Sequence, residues 1–231
     1  MKASMTRTVR VDRDLLSEKK RRAADLRDEF TRRGTLVVNL VSSPGAGKTS
    51  LLEATARHWH GRRSMAVLVG DLATERDAER LRPLVPVQQL TTGGACHLEL
   101  SLVEKGLALL PKRDFDFLFI ENIGNLVCPA SHDLAEHLRV AVLSTTEGDD
   151  KPGKYPKMFR TSHTLVVSKT DLLPHVPFSV DQAIADARKV KPELMCLTLC
   201  APSGAGIPEW CKYLEEVHTA SSGSPAEVVQ T

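Results

Sequence analysis

Ser42-Ser43-Pro44-Gly45-Ala46-Gly47-Lys48-Thr49 decides how this chain folds. The stretch follows an apolar β-type run, Leu36-Val37-Val38-Asn39-Leu40-Val41, and opens an amphipathic segment from Ser50 to His60. Strand, loop and helix in that order separate a phosphate-binding loop from a chance match to G-x-x-x-x-G-K-[ST]. In such a loop, successive backbone N–H groups and a helix N-terminus point at phosphates. Ser43, Gly45, Ala46, Gly47 and Ser50 are the expected cradle. Lys48 is placed to reach the β- and γ-phosphates, and the Thr49 hydroxyl to bind Mg²⁺. The first glycine of the pattern is Ser42, a departure expected to weaken nucleotide binding.

The rest of the chain suits one α/β domain. At 231 residues it is long enough for a well-buried core with appendages. A net charge of +2 gives no electrostatic case for nucleic acid, and 26% charged residues suits a water-exposed surface. No apolar run approaches membrane-spanning length, and Met1 to Asp14 has no apolar stretch of signal-peptide type. Five cysteines without small-domain spacing point to a reducing compartment, so a cytoplasmic location is expected.

Val11 to Arg33 reads as a charged helix with one apolar stripe. Apolar runs at Met65–Gly70, Phe115–Ile120, Val140–Ser144, Thr164–Ser168 and Met195–Cys200 read as strands, with Val85–Leu90 a weaker one. They alternate with helical patterns at His97–Leu110, Val180–Val190 and Gly206–Val217. Continuous short runs of this kind suit a mostly parallel sheet covered by helices on both faces, the three-layer P-loop NTPase arrangement. The expected organisation is a helical extension over 1–33, a nucleotide-binding domain over 34–218 and a disordered tail over 219–231.

Ser168-Lys169-Thr170-Asp171 stands at the end of one of these runs. It resembles the N-K-x-D guanine motif of GTPases, with serine in place of asparagine. A carboxylate at Asp171 can accept from guanine N1–H and N2–H₂, whereas adenine would leave it without a partner. Charged hydrogen bonds contribute about 1.5–3 kcal/mol each, enough for a ten- to hundred-fold preference. Lys169 can lie along the base, and the short Ser168 is expected to loosen the loop. Ala201 and Pro202, in Cys200-Ala201-Pro202-Ser203-Gly204, resemble the loop that completes a guanine pocket. Asp71 and Glu121 end two further apolar runs, where carboxylates face the crevice at the carboxyl edge of a parallel sheet. With Lys48 they are the candidate catalytic set, and with Thr49 the candidate Mg²⁺ ligands.

Cys96 and His97 fall at an expected helix start, where a thiol's pKa is lowered, and Cys128 falls on a loop at the same sheet edge. The three could share a borderline-soft cation such as Ni²⁺ or Zn²⁺ with an open position. Taken alone, the metal signal is weak and the cysteines read more readily as small core hydrophobes. His132, four residues past Cys128, could be an extra ligand but reads more readily as solvated, and Cys196, Cys200 and Cys211 read as core or surface thiols.

Together these stretches resemble the HypB-type hydrogenase nickel-incorporation GTPases, metallochaperones of the SIMIBI class. The resemblance runs through residues 43–52, Gly70-Asp71-Leu72-Ala73-Thr74, Cys96-His97-Leu98, residues 121–130 and Thr146-Glu147-Gly148-Asp149-Asp150-Lys151-Pro152. It implies slow, regulatory hydrolysis of GTP to GDP, a homodimer when GTP is bound, and nickel or zinc on Cys96, His97 and Cys128. It also implies a second nickel-maturation protein and a hydrogenase large-subunit precursor as partners, and offers Lys154 as a contact to the partner's nucleotide. The N-terminal residues of this chain carry no Cys-x-x-Cys motif or histidine-rich stretch of the kind found in some members, so a separate nickel store is not expected. Two other classes compete: a related chaperone for urease or a cobalamin-dependent mutase, and a P-loop phosphotransferase.

Overall fold

The protein is described by a computed structural model covering residues 2–71 and 75–222, with side chains from residue 17 onward. Helix α1 (Lys2–Arg32) leads into β1 (Leu36–Ser42), the phosphate loop and α2 (Lys48–Trp59). There follow β2 (Met65–Asp71), α3 (Arg76–Leu81), β3 (Val87–Thr91), α4 (Leu100–Leu109) and β4 (Phe117–Glu121). A 3₁₀ turn at Cys128–Ser131 precedes β5 (Leu138–Ser144), α5 (Lys151–Lys154), α6 (Pro156–Thr161) and β6 (Thr164–Ser168). The chain closes through α7 (Val180–Val190), β7 (Met195–Thr198) and α8 (Ile207–Ser222).

All seven strands are parallel, in the order β3-β2-β4-β1-β5-β6-β7. The P-loop strand β1 lies centrally, and all seven of its residues are buried. Its alternate side chains serve opposite faces, as pleating requires. Leu36, Val38 and Leu40 pack with α2 and α8, where Trp59 stacks on Phe117 at 4.2 Å between ring centroids. Val37 packs with Phe30 of α1 and Val103 of α4, and Val41 with Phe159 of α6 and Ala183 of α7. Parallel strands need long crossovers, so both faces are covered and the strands read as unbroken apolar runs.

Boundaries shift in a few places. Helix α1 begins well before Val11. Helix α4 starts at Leu100 rather than His97, because residues 92–99 form turns and bends above the sheet. The basic segment Lys151–Lys157 forms two short helices, each with proline in its first turn, where the missing N–H costs nothing. Helix α8 extends four residues into the expected tail, with the Thr219, Ser221 and Ser222 hydroxyls bonding back to Glu215 and His218 carbonyls. The remaining tail and Leu72-Ala73-Thr74 lie outside the described residues. Among the described residues, no helix is long and apolar enough to cross a membrane.

Candidate functional site

The phosphate loop bends through two left-handed glycines, Gly45 (φ 72°) and Gly47 (φ 96°), and Gly47 caps α2. The loop curls over a cavity of about 410 Å³ whose lining includes Gly45, Lys48, Thr49, Asp71, Glu121 and Lys169. Lys48 is buried, and its Nζ donates to Ser42 Oγ at 2.9 Å. Ser42 thus holds the ammonium at the loop instead of obstructing it, while donating in turn to Ser43 O. Burial lowers the Lys48 pKa, opposed by the charges of Glu121 and other carboxylates around the cavity.

Thr49 Oγ1 donates to Glu121 Oε1 at 2.8 Å, and Glu121 Oε2 is buried with no hydrogen-bond partner. A hydroxyl and an orphaned carboxylate oxygen facing one phosphate cavity fit the hard, oxygen-seeking Mg²⁺ ion. Burial raises the Glu121 pKa to about 7, against the pull of Lys48 and the Thr49 bond. Because this folded-state value lies above the unfolded one, the native state binds the extra proton between about pH 4.5 and 7. Stability of the nucleotide-free protein is therefore expected to fall as pH rises through that window, and Glu121→Gln to flatten the fall. At pH 7, binding of Mg²⁺ with nucleotide should release ~0.5 proton from Glu121, read as a buffer-dependent heat in calorimetry. A buffer-independent heat would show that Glu121 is already ionised.

At the base-reading end, Ser168 Oγ donates to Ala46 O at 2.7 Å, and Lys169 Nζ to Gly45 O at 2.7 Å. The loosening expected from a short Ser168 is not seen, because the phosphate loop comes close enough for a hydroxyl to reach it. Lys169 takes the left-handed conformation (φ 58°), and its carbonyl accepts from Thr145. Asp171 is exposed and does not line the cavity, nor do Ala201 and Pro202. The two loops are joined by Thr170 N to Leu199 O at 3.3 Å, and by the Cys200 thiol donating to Asp171 Oδ1 at 3.1 Å. Cys200 is buried but not inert: it orients the carboxylate expected to read guanine.

Cys96, His97 and Cys128 converge, their ligand atoms all lying within 4.8 Å of one another. The two sulfurs are 2.8 Å apart, and Cys96 Sγ lies 3.7 Å from His97 Nδ1. Cys96 lies four residues before α4, so the helix N-terminus does not assist its thiolate. Instead the neighbouring Cys128 thiol raises the Cys96 pKa in the metal-free protein. A bound cation reverses that ordering, since its charge favours both thiolates. Burial, reinforced by His132, lowers the His97 pKa and favours the neutral ring that ligates metals. His132 is not simply solvated: its ring stacks on His97 at 3.7 Å and its Nδ1 contacts Cys128 O at 2.9 Å. Asn125 ties the segments from the solvent side, accepting from Val127 N and Cys128 N and donating to Cys96 O at 3.5 Å.

Two further features had no clear sequence signal. Arg80 of α3 reaches the cavity wall and bonds Glu53 and Ser50. Gly124 lies directly against the phosphate loop, where a Cβ would stand 2.6 Å from Pro44 Cα. Lys154 is exposed and pairs with Asp150 at 2.5 Å.

The family described as CobW/HypB/UreG, nucleotide-binding domain, matches residues 36–198. The chain is 47% identical over 213 residues to the hydrogenase maturation factor HypB of Azotobacter vinelandii, covering 92% of this chain and 70% of that protein. It is 46% identical to the HypB of Escherichia coli K12, covering 92% of this chain and 73% of the other. The crystal structure of Helicobacter pylori HypB in complex with nickel superposes with a TM-score of 0.84 at 37% identity, covering 91% of this chain and 99% of that one.

Proposed function

The chain belongs to the HypB group of the CobW/HypB/UreG nucleotide-binding family, and on that premise we propose that it is a GTP-hydrolysing nickel metallochaperone of [NiFe]-hydrogenase maturation. The observation that carries the reading is the convergence of Cys96, His97 and Cys128 on the protein that also bears the phosphate loop. Two thiolates and an imidazole suit Ni²⁺ or Zn²⁺, and three ligands leave a position through which cargo can pass to an acceptor.

In this reading Lys48 and the loop amides hold the β- and γ-phosphates, and Asp171, steadied by Cys200, accepts from the guanine edge. Thr49, Asp71 and Glu121 would hold Mg²⁺, which supplies charge neutralisation across the phosphates. Glu121 and Asp71, which both line the cavity, would also orient the attacking water. The γ-phosphate biases the segments carrying Cys96, Cys128 and residues 74–77, and thereby a C₂ dimer that brings two metal segments together. Lys154 is the residue we assign to reach the partner's nucleotide. The partners are a second copy, another nickel-maturation protein and a hydrogenase large-subunit precursor, and the compartment is the cytoplasm.

Linkage requires nickel and nucleotide to alter each other's affinity by one common factor. A Ni²⁺ titration of the full chain should give affinities differing by about 5- to 150-fold between a GTP analogue and GDP. The oligomeric state should shift toward dimer with the analogue. Identical affinities and identical mass in both states would remove the switch from this reading.

A further inference from the structure

A chain of buried polar side chains runs behind the two thiol-bearing segments, and neither the phosphate chemistry nor the metal ligands account for it. Asn122 Oδ1 accepts from Ile123 N at 2.9 Å and faces Leu98 N, the residue after His97, at 3.5 Å. Its Nδ2 donates to Asn39 Oδ1 at 3.3 Å, and Asn39 Nδ2 donates to Glu136 Oε1 at 3.3 Å. Glu136 is ion-paired with Arg139, whose Nε donates to the same oxygen at 2.8 Å. Arg139 then spends its remaining donors on backbone, reaching Ala130 O at 3.3 Å and His132 O at 2.6 Å. Those carbonyls belong to the turn that Cys128 begins. The path thus starts beside Cys96–His97 and ends beside Cys128.

Asn39 is fully buried, Asn122 is 1% exposed, and Glu136 and Arg139 are 7% exposed each. Burying four such groups is poor economy as stabilisation alone, since a well-packed apolar set of the same volume is often as stable or more so. Fully satisfied buried networks do, however, hold their members in one arrangement. Besides one another, these side chains bond backbone only: Leu98 N and Ile123 N, Ala130 O and His132 O, and Leu134 N, which donates to Glu136 Oε2 at 2.7 Å.

We propose that Asn122, Asn39, Glu136 and Arg139 form a brace that sets the separation of Cys96–His97 from Cys128, making them positioning residues for the cation. The proposal rests on the reading that these three residues hold nickel. Groups that hold a ligand's orientation from behind typically account for about ten- to hundred-fold in metal affinity. The half-buried Asn125 closes the same gap from the other side, so the thiol segments are held from both sides.

The test uses the full chain and Ni²⁺ itself, with affinity from chelator competition and geometry from the thiolate-to-nickel charge-transfer absorption. Asn39→Leu keeps similar volume and breaks the middle of the brace while leaving Glu136 paired with Arg139. Asn122→Ser breaks it next door and keeps a polar group near Ile123 N, so a folding failure of one variant leaves the other informative. Both should bind Ni²⁺ about ten- to hundred-fold more weakly with an altered absorption band. In Asn39→Leu, which stands away from the phosphate cavity, GTP affinity should stay near wild type and the thermal midpoint should fall only by the several degrees that one unpaired buried amide costs. Wild-type nickel affinity and spectrum in both variants would overturn the brace. So would a loss of nickel binding that merely tracks equal losses in GTP binding and melting temperature, because that marks a general weakening of the fold. Cys128→Ser, run alongside, should weaken and shift the band; a wild-type band there would overturn the metal reading itself, and the brace with it.

Discussion

Lys48→Ala is expected to lower kcat/KM for GTP by about 10³-fold, the upper end of what losing one preorganised transition-state donor costs. The upper end applies because this donor carries a full charge and is buried in the loop that folds around it. In the nucleotide-free protein the ammonium rests on Ser42 Oγ, already beside the site where phosphates arrive, so little ordering remains when they do. The same variant has a second readout. Lys48 is the leading influence that pulls the Glu121 pKa down, so its loss should move Glu121 ionisation above about 7 and extend the pH range over which stability declines. Turnover within tenfold of wild type would remove Lys48 from the phosphate site.

The second large effect concerns the cargo. Cys128→Ala should weaken Ni²⁺ binding by more than about 100-fold, beyond the range seen when only a ligand's supporting partner is lost. What would remain is Cys96 and His97, adjacent in sequence and set 3.7 Å apart, a two-ligand site open on the opposite side. Since thiols must lose protons to ligate, wild-type affinity should rise with pH, and the rise should be shallower in the variant. Nickel affinity unchanged in Cys128→Ala would show that the sulfurs, although 2.8 Å apart, do not serve one ion. Hydrolysis measured with Mg²⁺ but without Ni²⁺ should be nearly unaffected, which separates this variant from Lys48→Ala.

Much of the architecture was legible because a parallel sheet buried on both faces writes itself as unbroken apolar runs. β6 begins and ends where its run does, and β5 starts only two residues earlier, at Leu138. The start of α1 was not legible, since residues before Val11 show no apolar stripe to signal a helix. At the site, residues whose role follows from local order were readable: the phosphate loop, Asp71 and Glu121 at strand ends, and the thiols in their distinctive stretches. Residues whose role depends on distant approach were not. Ser168 looked too short until the phosphate loop was seen to approach it at Ala46. Cys200 gained its partner only from the adjacency of the loops after β6 and β7. Asn39, Glu136 and Arg139 stand among ordinary strand and loop residues, and nothing local marks them as neighbours of a metal segment. Arg80 lies in a charged stretch where any arginine reads as solvent-facing.

Glu121 and Asn122 are consecutive residues. One offers an orphaned oxygen to the phosphate cavity, and the other turns an amide toward the segment that carries Cys96 and His97. Their Cα atoms are therefore joined by a single planar unit about 3.8 Å long that resists twisting. A tilt of that plane cannot be felt at one end alone. A substitution that shifts Asn122 is therefore expected to be felt at Glu121 as well.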